Sequence, residues 1–170
     1  MLTVLACAPA LAILQPGDVA PDFSAQASLG GRIFDFSLAQ ALKKGPVVLY
    51  FYPAAFTSGC TQEAHDFAEA TEDYGKLGAT VVGVSHDDIA TLNRFSVSEC
   101  RSKFAVVADA DQHIMKAYDS VLTGYPQYAN RVSYVIAPDG HVVYQYTSLD
   151  PDKHVANTLD ALRKWSKAKL

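Results

Sequence analysis

A cysteine does chemistry only where its surroundings raise the share of thiolate. The chain holds three, Cys7, Cys60 and Cys100. Cys60 stands in the most informative stretch, Tyr50-Phe51-Tyr52-Pro53-Ala54-Ala55-Phe56-Thr57-Ser58-Gly59-Cys60-Thr61-Gln62-Glu63. A continuous apolar run ends in this stretch and a helix-spaced segment begins, so Cys60 is predicted in the first turn of a helix that follows a buried strand. Unpaired backbone N–H groups and the helix dipole at such an end favour an anion. A thiol there is expected to ionise more readily than usual. Thr57 offers a hydroxyl three residues earlier, and Gly59 lets backbone come close to a small ligand. Pro53 fixes the loop and can shield it from water. A buried cysteine that merely packs is the plain alternative. The company of Pro53, Thr57 and Gly59 favours nucleophilic or redox sulfur chemistry over it.

The elements that must position this loop are legible in the pattern. Val47 to Tyr52 is apolar, β-branched and aromatic throughout, as expected of a strand buried on both faces. Phe67, Ala70, Tyr74 and Leu77 recur at helix spacing, with Gly78 at the C-cap. Ala79 to Val84 reads as a second buried strand, Ile89, Leu92, Phe95 and Val97 as another helix, and Phe104 to Ala108 as a short strand. Arg32 to Leu38 alternates like an outer strand, and Ile114 to Tyr118 reads as a brief helix. Arg131 to Ala137 and His141 to Thr147 flank Asp139-Gly140, a hairpin signal. Asp150 caps a last helix with Pro151 at its first position, and Val155, Leu159, Leu162 and Trp165 form its inner face. These elements predict an α/β fold, a thioredoxin-like three-layer sandwich with a mixed central β-sheet. Ligands in such sheets bind at the carboxyl ends of the strands, where the Cys60 loop must lie.

Bulk properties agree. With 170 residues, 49% of them hydrophobic, the chain suits one packed domain and excludes disorder. A formal net charge of −4 speaks against nucleic-acid binding, which needs a basic face. The apolar segment over residues 1–12 is too short to span a bilayer. It reads as an export-signal remnant ending at Ala10-Leu11-Ala12, or as a disordered arm, ahead of a single domain over residues 13–170. The first reading places the protein in the periplasm or outside the cell, ahead of the cytoplasm.

Pro53-x-x-x-Thr57-x-x-Cys60 is similar to the signature of the peroxiredoxins. Thr61-x-Glu63 and Gly83-Val84-Ser85-x-Asp87 resemble the bacterioferritin-comigratory, PrxQ-like branch of that family, and the resemblance runs from about Pro16 to the final helix. It implies a thiol peroxidase on a thioredoxin fold that reduces hydrogen peroxide and small organic hydroperoxides in antioxidant defence. No metal, haem or flavin is implied, and a monomer is. By resemblance Cys60 is the peroxidatic cysteine, Thr57 orients the peroxide, and Pro53 shields the site. Arg131, heading the strand Arg131-Val132-Ser133-Tyr134-Val135-Ile136, holds the thiolate and the leaving oxygen, with Glu63 as its anchor.

Many relatives carry a second, resolving cysteine five residues after the first; here that position is His65. Cys100 is the remaining internal partner. At about a dozen residues into its helix it is expected on the order of 18 Å from the active edge, whereas a disulfide needs Cα atoms within about 7 Å. A one-cysteine cycle closed by an external thiol (thioredoxin, glutaredoxin or glutathione) is therefore favoured, with Cys100 packing at a helix end; Cys100 as the resolving cysteine, reached by local unfolding, is the alternative. His86 reads as loop polarity, and His113, His141 and His154 as surface residues without ligand spacing. A thioredoxin-like disulfide oxidoreductase would need C-x-x-C, but Thr57 and Glu63 flank Cys60 at those positions. A copper carrier would need C-x-x-x-C, and Ala64 stands there. A peroxide sensor or redox-partner protein without high turnover would use the same site and is the rival reading.

Overall fold

The computed structural model describes residues 12–169. Most of the expected export segment, including Cys7, lies outside them. Seven strands make one sheet: β1 (Ser24–Leu29), β2 (Arg32–Ser37), β3 (Val47–Phe51), β4 (Thr80–Ser85), β5 (Ala105–Ala108), β6 (Val132–Ile136) and β7 (Val142–Thr147). Their order across the sheet is β2-β1-β5-β4-β3-β6-β7. β3, β4 and β5 run parallel, and every other pairing is antiparallel. The sheet is mixed, as the sequence predicts.

Alternation along β3 divides the core. Val47, Leu49 and Phe51 join the cluster that contains Leu38 and Leu42 of α1 (Leu38–Leu42) and Ile114 and Met115 of α4 (His113–Ala117). Val48, Tyr50 and Tyr52 join the cluster that contains Phe67 of α2 (Ser58–Lys76), Phe95 of α3 (Ile89–Ser98) and Leu162 of α5 (His154–Lys167). α2 and α3 share a face because two right-handed crossovers step the same way along the sheet, from β3 to β4 to β5. The result is helix, sheet and helix in three layers, the thioredoxin-like fold. Among the described residues no helix is long and apolar enough to cross a membrane.

The details depart from the sequence reading where tertiary partners decide. β1 has an unpromising sequence, SAQASL, yet it forms because β2 and β5 hydrogen-bond it on both sides. Val97 lies on the outward side of α3 and is half exposed, contrary to its expected inner place. On α5 the inner face is carried by His154, Thr158, Leu159 and Leu162, while Val155 and Trp165 are half-buried. Asp150 does cap the start, through the Asp152 N–H at 3.0 Å, but of a 3-10 turn (Pro151–Lys153) that leads into α5.

Candidate active site

The end of β3 delivers the chain to the carboxyl edge of the parallel strands, where the 53–57 loop turns into α2. That loop is anchored from the neighbouring strand end. Asp87 accepts the Ala55 N–H at 2.8 Å and the Ser85 hydroxyl at 2.7 Å. His86 Nδ1 lies 3.0 Å from the Pro53 carbonyl, which can only accept, so this nitrogen donates. Tyr128, in the loop that precedes β6, packs edge-on against the His86 ring, centroids 4.9 Å apart. Thus Ser85-x-Asp87 and His86 act on the site by holding its loop.

Thr57 is the N-cap of α2, with φ −74° and ψ 153°, yet no side chain caps the helix. Its hydroxyl donates backward to the Ala54 carbonyl at 2.9 Å. The hydrogen is thereby committed, the oxygen lone pairs stay free to accept, and no side chain caps the first-turn N–H groups of α2, the turn that carries Cys60. Cys60, Ala64, Phe67 and Ala68 lie on the buried stripe of α2, and so does Glu63. The helix therefore carries a carboxylate into the core one turn below the thiol.

Arg131 immediately precedes β6 and has the same parity as Ser133, which pairs with Tyr50 of β3. That parity aims its side chain at α2. Its fork serves three acceptors at once: Nε donates to the Leu149 carbonyl at 2.9 Å, Nη1 to Glu63 Oε2, and Nη2 to Cys60 Sγ at 3.5 Å. Cys60 is 2% exposed, Arg131 4% and Glu63 fully buried. A single delocalised cation thus stands between a sulfur and a carboxyl away from water, where its charge acts strongly. The arrangement can stabilise negative charge on Sγ and on an oxygen that departs beside it.

Gly59 has a different partner from the one expected. A Cβ on it would lie 3.2 Å from Arg131 Nη2, so the close approach it permits is that of the guanidinium. Gly59→Ala is expected to push Nη2 back by a few tenths of an ångström and to lower the rate of Cys60 oxidation by peroxide about tenfold. Stopped-flow measurement of that reaction on the reduced variant checks it.

Pro53 lies half-buried in the loop, and Phe56 beside it adopts φ +65°, a left-handed conformation rare for an aromatic residue. The Phe56 ring packs edge-on against Phe95, centroids 5.2 Å apart, and stays 47% exposed, so it forms an apolar lip on the loop that leads into α2. Cys100 comes from a different element. It follows the C-cap residue of α3, Glu99, is completely buried in the same core layer as Cys60, and burial pushes its thiol well above the usual range. A hydrogen bond and an ion pair tie this corner to α2: His65 Nε2 with Glu99 Oε2 at 2.8 Å, and Arg101 with Glu69 at 3.0 Å.

His154 corrects the sequence reading most sharply. It is fully buried beneath the site rather than on the surface, with Nδ1 2.8 Å from Ser133 Oγ and 3.7 Å from Glu63 Oε1. The signal was present in the spacing of His154, Thr158 and Leu162, four residues apart and all fully buried. His113, by contrast, is exposed beside Asp111, and His141 beside Asp139.

Residues 16–145 match the AhpC/TSA family. The chain belongs to that family. Among its relatives is the chloroplastic peroxiredoxin Q of Triticum aestivum, 34% identical over 148 residues that cover 86% of this chain. The chain spans 66% of the length of that relative. The crystal structure of the peroxidoxin BcpB of Mycobacterium tuberculosis is 29% identical, with a TM-score of 0.80 over 89% of this chain and 97% of that one. AhpC of M. tuberculosis shares the fold at a TM-score of 0.82, with 18% identity over 94% of this chain and 97% of that one. The first two of these relatives carry peroxiredoxin Q and Bcp names, the branch that the motifs around Cys60 and Ser85 resemble.

Proposed function

We propose that this AhpC/TSA chain is a thiol-dependent peroxidase whose nucleophile is Cys60. The observation that carries the reading is the Arg131 guanidinium, 3.5 Å from Cys60 Sγ at the uncapped start of α2. The Cys60 thiolate attacks the terminal oxygen of a hydroperoxide. The S–O bond forms as the O–O bond breaks, the sulfur gives up two electrons, and the departing oxygen leaves as water or alcohol once it takes a proton. The Thr57 lone pairs accept the O–H of the peroxide and hold it in line. Arg131 Nη2 stabilises first the thiolate and then the charge on the departing oxygen. Pro53, with Phe56 at the lip, keeps water from competing.

The sulfenic acid is closed by an external thiol. One thiol displaces water to give a mixed disulfide, and a second thiol displaces Cys60 as thiolate. Support comes from His65 at the usual resolving position and from the burial and raised ionisation of Cys100. The implied substrates are hydrogen peroxide and small organic hydroperoxides. The implied reductants are thioredoxin, glutaredoxin or glutathione, and the acting species is a monomer.

Peroxide consumption with each reductant in turn tests the proposal. Catalytic turnover, retained by Cys100→Ser, is the expected result. A single stoichiometric oxidation with every reductant overturns the enzyme reading in favour of a sensor. Loss of turnover in Cys100→Ser overturns the one-cysteine cycle.

A further inference from the structure

The polar layer beneath Arg131 holds one acceptor too many. Glu63 Oε2 is taken by Arg131, but Glu63 Oε1 is buried and has no hydrogen-bond partner among the described residues. The group facing it is His154 Nδ1, at 3.7 Å. His154 Nε2 lies 2.9 Å from the Ser148 carbonyl, which can only accept, so Nε2 carries the ring proton. In the neutral ring Nδ1 is then a bare lone pair, and it accepts from the Ser133 hydroxyl at 2.8 Å. That lone pair is taken by the Ser133 hydroxyl, so a carboxylate Oε1 would lie buried beside a neutral ring with no donor to it, a costly arrangement.

We propose that Glu63 carries a proton on Oε1, in the buried pocket that the neutral His154 ring closes, which leaves the charge of Arg131 free for Cys60. This inference rests on the peroxidase reading for its consequence, though not for its observation. With the proton in place, the buried set is one thiolate, one guanidinium and one neutral acid, and its charges cancel. Without it, two anions share a single cation and Cys60 loses its larger part of Arg131. His154 is thus a positioning residue that touches no reacting atom.

The groups facing the pair all belong in the balance. Around Glu63 these are Cys60 and Asp66 of α2, Arg131, Tyr50 of β3 and His154. Around His154 they are Arg131, Tyr146 of β7 and Asp150 before the 3-10 turn. Burial pushes the Glu63 carboxyl up to about 8, against the opposing pull of Arg131. Burial likewise holds His154 down to about 4, so the ring is neutral when the carboxyl is protonated. The sign follows: as pH rises through about 8, Glu63 ionises, takes up the Arg131 charge, and Cys60 becomes less reactive per thiolate.

The chain has four glutamates, Glu63, Glu69, Glu72 and Glu99. The intact protein labelled with carbon-13 at glutamate carboxyls therefore reports the proton directly. One protonated carboxyl at neutral pH, titrating near 8 and missing in Glu63→Gln, is the expected result. In His154→Ala, where the ring that closes the pocket is gone and Oε1 gains water, the titration should move down by about one pH unit. The second-order rate of Cys60 with hydrogen peroxide should fall about tenfold on the alkaline side in the wild type, and Glu63→Gln should lack that fall. Four ionised glutamates at neutral pH would overturn the proposal, and so would a titration that His154→Ala leaves in place. The carboxyl signal needs no peroxide, and the count of ionised glutamates is read on the wild type. Its failure is therefore separate from failure of the peroxidase reading, which shows as absent turnover with the signal intact.

Discussion

Cys60→Ser is expected to slow reduction of hydrogen peroxide by at least about a thousandfold, with the fold preserved. A serine hydroxyl stays protonated where a thiol ionises, and oxygen is a poor nucleophile toward an O–O bond. The guanidinium and the helix start can stabilise an anion only if the nucleophile forms one. The replacement is nearly isosteric in a site that is 2% exposed, so melting should shift little. Steady-state turnover with a thiol reductant, beside circular dichroism, measures both halves of this expectation. Loss of activity together with loss of fold would assign Cys60 a packing role instead.

The second large effect belongs to Arg131. Arg131→Met removes the cation that donates to Cys60 Sγ, Glu63 and the Leu149 carbonyl. The rate of peroxide reduction should drop by about a hundredfold to a thousandfold, the usual result of removing a preorganised donor to developing charge. The stability cost should be about 1–3 kcal/mol from the orphaned Leu149 carbonyl and Glu63, and is limited because Glu63 can remain protonated. Arg131→Lys should recover less than tenfold of the loss, since one ammonium cannot span three acceptors arranged around a planar fork. Alkylation of Cys60 by iodoacetamide should slow in the same order in both variants. An unchanged alkylation rate in Arg131→Met would mean that the sulfur does not depend on this charge.

What could be read from the sequence was what local pattern determines. The apolar run of β3, the helix spacing of α2 and the Asp139-Gly140 hairpin each reflect the period of one element, so each was legible. The junction of β3 and α2 placed Cys60 at a helix start for the same reason. β1 escaped because its residues have little strand preference of their own and owe their conformation to two neighbours. His154 escaped because Asp150, Pro151 and Asp152 around it look like a solvated helix start. Its burial comes from Ser133 and Tyr146 on strands that are distant in sequence. Gly59 was singled out for the approach of a small ligand, whereas the group that approaches it is the Arg131 guanidinium. Its nearest neighbour is a side chain 72 positions away, which no local rule supplies.

Intact mass after one equivalent of hydrogen peroxide tests the central claim most directly, with the wild type, Cys60→Ser and Cys100→Ser treated alike. Gain of one oxygen in the wild type and in Cys100→Ser, absent from Cys60→Ser, is the result predicted by a Cys60 sulfenate awaiting an external thiol. Equal, slow oxidation of the wild type and Cys60→Ser would contradict it. Loss of two hydrogens in the wild type alone would contradict the one-cysteine cycle, because it would join Cys60 to Cys100.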